Sequence, residues 1–271
     1  MVEQDAVEYD LIASRYDEAV DNIGFRAMEM HSMGVVLEPL LSQPDVKVLE
    51  LACGTGFFTS HLMAWGAASV TAVDISSMMI EQAVSKLAGQ VLSGQVRFLV
   101  ADGTKPQSFA PDNSAEYFDV VLGAWFLNYA QTKAELTAMF DTISLNLRPG
   151  GTFVGSVPHP TNHLAERALL YNSPPLNQIW PRNCYTHELE SKDGWALRVY
   201  IDRCGIGFQT WHLKKSVYEA AARQGGLKGK LEWKSEIFLG DHWASRLGLM
   251  DEDWTVRKDN PHLGIIVVSK N

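Results

Sequence analysis

Two glycines and three carboxylates are the residues whose types and spacing most readily do chemistry. Gly54 and Gly56 fall in VLELACGTGFFT, after an apolar run and before a helical pattern, so backbone can approach a ligand there and offer its N–H groups. Glu50 lies inside the apolar run, four residues before Gly54. A carboxylate so placed is costly to bury without a cation or several donors beside it, which points to a cationic group on whatever binds. Asp74 ends the next apolar run, twenty residues after Gly54, where a carboxylate can accept both hydroxyls of a ribose. Asp102, in VADG at the end of a third run, is placed to accept from an exocyclic adenine amine. A nicotinamide-dinucleotide oxidoreductase is a rival reading of the glycines. Its G-x-G-x-x-G fingerprint wants Gly or Ala where this chain has Thr59, and Glu50 would repel a pyrophosphate.

The elements that must position these residues follow from periodicity. Between Val46 and Val157 short apolar runs alternate with helical patterns, which predicts βαβ units and a parallel sheet. Strands are expected at 46–51, 69–74, 95–100, 117–123 and 151–157, with helices near 57–65, 76–88 and 132–147. Ser76 is the expected N-cap of the second helix; Gly66, Gly89 and the run from Pro149 to Gly151 are the expected stops. Residues 158–192 carry five prolines and little periodicity, and read as a loop-rich insertion. Residues 194–202 and 206–213 read as a hairpin, and 216–225 as a helix with Ser216 as N-cap, Glu219 at the capping-box position and Gly225 as its stop. Final strands are expected at 230–240 and 262–271, joined by a polar loop.

The ligand that combines a ribose, an adenine and a free ammonium is S-adenosylmethionine. The ordered segments VLELACGTG, AVDIS, VADG, FDVVLGAWFLNYA and LRPGG resemble the motifs of class I S-adenosylmethionine-dependent methyltransferases, and YDLIASRYD resembles the N-terminal cap of small-molecule members. The resemblance implies a Rossmann-like, doubly wound seven-stranded mixed α/β sheet. An N-terminal helical cap would occupy 1–44, the cofactor-binding core 45–157, an acceptor-binding lid 158–213, and a helix and strands that complete the core 214–271. It further implies that Ala52, Gly54 and Gly56 border the methionine moiety with Glu50 toward its ammonium, and that Asp74 holds the ribose. Ile75 and Met79 would flank the adenine and Asp102 and Gly103 its amine edge. Ala124, Trp125 and Tyr129 would face the methionine and the reacting centre, while Tyr9 and Tyr16 close the site. DNA and glutamine methyltransferases carry [DN]-P-P-[YF] where this chain has Gly123 to Phe126, which disfavours acceptors of their kind.

The insertion leaves the sheet where open α/β sheets bind ligands, and its aromatic content suggests a small, largely apolar, planar acceptor methylated on O or N. Tyr16, Trp125, His159, His163, Trp180, Tyr200 and Trp211 are the candidate acceptor contacts, and His159, emerging in SVPHP, is the candidate general base. His159 and His163 show H-x-x-x-H spacing, but Pro160 between them opposes a helix that presents both rings, so no metal is expected. A protein that binds S-adenosylmethionine without methylating is a second alternative.

With 271 residues, 46% hydrophobic and 20% charged, the chain has the composition of an ordinary globular protein. Its net charge of −9 and its lack of any run of Lys and Arg longer than the pair Lys214-Lys215 argue against a nucleic-acid partner. The three cysteines show no C-x-x-C spacing, the first ten residues lack signal-peptide character, and no apolar run approaches a membrane span. A cytoplasmic protein without a membrane partner is expected.

Overall fold

The computed structural model describes Asp10, residues 25–201, residues 207–240, Ser245 and residues 251–271. The first described helix, α1 (Phe25–Leu41), buries Met28, Met33, Leu37 and Leu41 and leads into β1 (Lys47–Leu51). There follow α2 (Phe57–Ala64), β2 (Ser69–Asp74), α3 (Ser77–Lys86), α4 (Ala88–Leu92), β3 (Val96–Val100), β4 (Phe118–Ala124), α5 (Lys133–Asn146) and β5 (Leu147–Pro158). These runs become parallel strands because both of their faces are covered. Leu49, Leu51, Val73, Val121 and Phe153 pack on the side of α5, and Val48, Val70, Ala72, Leu122 and Val154 on the side of α1 and α2.

Local signals set most boundaries. Gly66, at φ 110, ends α2, with its N–H on Met63 O. Ser76 Oγ accepts from Met79 N at 3.1 Å, and Thr132 and Glu135 form a reciprocal capping box at the start of α5. The helix expected over 76–88 instead divides at Leu87, whose φ of −110 is not helical, so Gly89 lies inside α4 rather than ending α3.

After β5 come α6 (Leu164–Tyr171), β6 (Arg182–Glu188), β7 (Gly194–Tyr200), β8 (Gly207–Leu213), α7 (Lys215–Gln224), β9 (Leu231–Ser235), α8 (Asp251–Asp259) and β10 (Leu263–Ser269). The larger sheet has seven strands in the order β3-β2-β1-β4-β5-β10-β9. β3 to β5 run parallel through β2, β1 and β4, while β10 is antiparallel to both of its neighbours. This is the expected Rossmann-like mixed sheet.

The segment after β5 is more ordered than its prolines predict. It holds α6 and a three-stranded antiparallel sheet in the order β6-β7-β8, because Asn183 and Tyr185 of the polar RNCYTHE run turn inward while Thr186, His187 and Glu188 stay exposed. The polar stretch read as a loop contains α8. β9 stops at Ser235 because Glu236 is buried, taking Arg257 Nη2 of α8 at 2.7 and 2.9 Å and the N–H of His262 at 3.0 Å. At α7, Lys214 rather than Ser216 holds the N-cap position; the Ser216 N–H goes to Asn162 Oδ1 and the Glu219 carboxylate to the indole of Trp233. Gly225 does end that helix.

Arg257 and Glu236 are 1% and 5% exposed. Glu236→Ala leaves the guanidinium buried without its counter-charge and is expected to cost about 3–5 kcal/mol, read as a lower midpoint in urea unfolding.

Candidate functional site

The chain steps outward from β1 through β2 to β3 and then returns to β4 on the other side of β1, so a crevice opens at the carboxyl ends of β1 and β4. Ala52, Gly54 and Gly56 turn the backbone away from β1 at φ 58, 53 and 82. The two glycines serve different ends. A Cβ on Gly54 would meet nothing within 4 Å, so its absence meets the turn's need for a left-handed residue. A Cβ on Gly56 would lie 3.2 Å from both Ala83 and Leu87, so Gly56 faces α3 and not the crevice.

Glu50 is 2% exposed, and Thr59 Oγ1 donates to its Oε2 at 2.6 Å. Thr59, which breaks the dinucleotide fingerprint, is therefore the polar partner of the residue that breaks it on charge. One neutral donor does not offset burial, and Glu50 is pushed up to about 8, with the Asp74 carboxylate adding to the effect. Asp74 is also pushed up by burial, although its Oδ2 accepts from Gly54 N at 2.8 Å and its Oδ1 from Ser76 N at 2.9 Å. The Ile75 N–H also bears on this carboxylate, and with about four acceptor sites in all it keeps capacity for a ligand hydroxyl. Asp10, from the YDLIASRYD segment, takes the Ser76 hydroxyl at 2.5 Å. Asp102 is held below its ordinary value, despite opposing desolvation, by Thr104 N and Oγ1 at 3.0 and 2.6 Å and by Lys105 Nζ at 3.0 Å.

These groups line a cleft of about 1040 Å³ open to solvent. Glu50, Ala52, Gly54, Asp74, Ile75, Met79, Asp102, Gly103, Ala124, Trp125 and Tyr129 all border it; Gly56 does not. Tyr9 and Tyr16 lie outside the described residues. Arg26, Cys53, Phe57, Phe58 and Phe126 also border it and escaped the sequence reading. The acidic rim, the left-handed turn at Gly54 and the apolar walls fit a nucleoside that carries an ammonium.

A second cavity of about 710 Å³ adjoins the first and shares Arg26, Trp125 and Tyr129 with it. Phe25 and Glu29 of α1, Asn128, Pro158, Pro181 and His262 complete it, together with Asn183, Leu197, Val199, Ile201, Phe208 and Thr210 from one face of the small sheet and its margin. Trp125 divides the two spaces. It holds φ 54, unfavourable for a bulky residue, and is fixed there by its N–H on Ser156 O and Oγ, both at 3.1 Å, and by its indole on Glu29.

The remaining acceptor candidates lie elsewhere. Tyr200 pairs across Arg182 and Gly207, and Trp211 across Ala196, on the face turned from the second cavity; Trp211 belongs to the core under α5 and α7. Trp180 carries the Arg182 guanidinium 6.0 Å from its ring centroid and borders neither space. His163, at the N-cap of α6, is exposed beside Glu166. His159 also borders neither cavity, and burial together with Arg167, Arg257 and Lys215 pushes it down to about 4.

A family profile described as a methyltransferase domain matches residues 48–151. A malonyl-[acyl-carrier protein] O-methyltransferase from Paenibacillus sp. is 29% identical over 59% of this chain and 53% of its own length. A demethylmenaquinone methyltransferase from Leptospira interrogans is 36% identical over 56% of this chain and 61% of its own. The matched segment thus spans little more than half of these relatives. Among solved structures, Burkholderia thailandensis 1,6-didemethyltoxoflavin-N1-methyltransferase, with bound 1,6-didemethyltoxoflavin and S-adenosylhomocysteine, aligns at a TM-score of 0.57 and 16% identity over 99% of this chain and 89% of that one. Residues 48–151 thus match a methyltransferase domain, and the chain has the fold of the class I S-adenosylmethionine-dependent methyltransferases.

Proposed function

We propose that the chain transfers a methyl group from S-adenosylmethionine in the first cleft to an oxygen or nitrogen of a small, largely apolar organic acceptor in the second cavity. The observation that carries this reading is that the two spaces adjoin and share Arg26, Trp125 and Tyr129, one acidic at its strand tips and the other mostly apolar. The toxoflavin methyltransferase, which shares the fold, holds a small heterocycle and the demethylated cofactor together, which supports a two-chamber arrangement. The net charge of −9 favours a small molecule over a phosphate backbone.

When bound, S-adenosylmethionine supplies a methyl group already activated on a sulfonium. The residues of the chain then hold and orient. Glu50 takes the ammonium, Asp74 the ribose hydroxyls, and Asp102 the adenine amine edge, with Ile75 and Met79 against the ring. Trp125 and Tyr129 present aromatic faces to both spaces, where a cation gains about 0.5–2 kcal/mol. Alignment of the two reactants in adjoining pockets contributes up to roughly 7–11 kcal/mol to such displacements. In this reading His159 is not the base, because it is outside both spaces and is pushed down to about 4, too weak a base to hold a proton at neutral pH.

The domain reading follows the same lines: residues 45–157 bind the cofactor, 158–213 cover the acceptor, and α1 closes the second cavity from the N-terminal side. Among the described residues no helix is long and apolar enough to cross a membrane.

Asp74→Ala is expected to weaken S-adenosylhomocysteine binding by about tenfold or more in calorimetry, since one charged hydrogen bond is worth about 1.5–3 kcal/mol. His159→Ala should keep turnover within about twofold of wild type, against the 10²–10⁴-fold loss expected on removal of a general base. Glu50 gives a pH signature. Free, it keeps its proton up to about pH 8; a ligand ammonium favours the ionised form, so binding releases a proton. Affinity for S-adenosylhomocysteine should therefore rise from pH 6 to 8, by up to about tenfold per unit, and Glu50→Gln should flatten the slope.

A further inference from the structure

The second cavity is walled mainly by apolar groups, among them Phe25, Leu197, Val199 and Phe208. Into this wall the fold places two polar side chains that lack hydrogen-bond partners. Asn128, 2% exposed, has a free Oδ1; His262, 1% exposed, has neither ring nitrogen engaged. Among the other polar groups of the same wall, Thr210 Oγ1 donates to Leu197 O at 3.2 Å, and Glu29 accepts from the Trp125 indole. Natural proteins rarely leave buried polar atoms unpaired, so Asn128 Oδ1 and the His262 ring mark what that cavity is built to receive.

The imidazole of His262 is held by means other than its own nitrogens. Its backbone N–H donates to Glu236 Oε2 at 3.0 Å, its carbonyl accepts from His159 N at 2.9 Å, and the ring packs 6.0 Å from Phe25 and 5.2 Å from Tyr171 between centroids. Burial beside Arg257 and Arg167 keeps the ring neutral, so it offers one N–H donor and one bare acceptor. Asn128 Oδ1 can only accept. A partner for both must carry a hydrogen on oxygen or nitrogen and needs no charge, since Arg26 already faces Glu29 at 3.9 Å and lies 3.6 Å over the Phe57 ring.

We infer that His262 and Asn128 are the polar recognition pair of the second cavity, and that they select an uncharged planar acceptor bearing a hydroxyl or N–H group on an otherwise apolar frame. This rests on the reading of that cavity as the acceptor site. Both residues are placed as positioning and specificity groups, and neither carries a proton-transfer step.

The test uses the full chain saturated with S-adenosylhomocysteine and equilibrium dialysis with naphthalene, 2-naphthol and 2-naphthoate as probes. Wild type should bind 2-naphthol about tenfold more tightly than naphthalene, as one net hydrogen bond provides, and more tightly than 2-naphthoate. Asn128→Leu and His262→Phe should each reduce the preference for 2-naphthol over naphthalene at least about threefold while S-adenosylhomocysteine affinity holds. Equal binding of naphthol and naphthalene, tightest binding of naphthoate, no binding of any probe, or a preference that survives the variants overturns the inference. Should His262→Phe fail to fold, Asn128→Leu decides alone, because it removes only the amide. Saturation with S-adenosylhomocysteine is measured first; its failure counts against methyl transfer, whereas lost discrimination with it bound counts only against this pair.

Discussion

Desolvated negative charge at the ends of β1 and β2 is the constraint around which the site is arranged. Burial makes both Glu50 and Asp74 harder to ionise, and the Asp74 carboxylate adds to this at Glu50 as Asp10 does at Asp74. The parallel sheet makes this arrangement possible, because covered strands end together at one edge where no side chain need fill the space. What protein offers in return is the Thr59 hydroxyl for Glu50, and the backbone N–H groups of Gly54, Ser76 and Ile75 for Asp74. In the proposed reading an incoming cation and diol complete both coordination shells.

The second part of the site depends on a different element. β10 is antiparallel to β5, with Leu263 opposite Pro158, so the amino end of the last strand lies beside the carboxyl end of the fifth. That reversal is what carries His262 to the edge where the parallel strands deliver their own functional residues. The Arg257–Glu236 pair then ties α8 to the same corner through the His262 N–H, which makes a buried ion pair part of the scaffolding of a recognition surface.

The cofactor half of the site was legible because it is local: Glu50, Gly54, Asp74 and Asp102 each fall at a strand end that the apolar periodicity marks, and those ends agree with the structure to within a residue or two. The acceptor half was not, because it depends on which face of a strand turns inward. Tyr200 and Trp211 drew attention as aromatics, yet strand alternation puts them opposite Val199 and Thr210, which do border the cavity. Alternation within 194–200 and 207–213 contained the signal once one inward residue was known. Arg26 and Glu29 of α1 carry no local mark at all; their contacts with Phe57 and Trp125 span from 31 to 96 residues of sequence.

Trp125 borders both spaces while its backbone is held in a left-handed conformation by Ser156 and its indole by Glu29. A wall common to two occupants makes their affinities reciprocal: whatever factor the first occupant imposes on the second, the second imposes on the first. Because Glu29 belongs to α1, a tilt of that helix shifts the shared wall for both chambers together. In the proposed reading, occupancy of the first cleft and choice of acceptor are in this way coupled through the wall that Arg26, Trp125 and Tyr129 share.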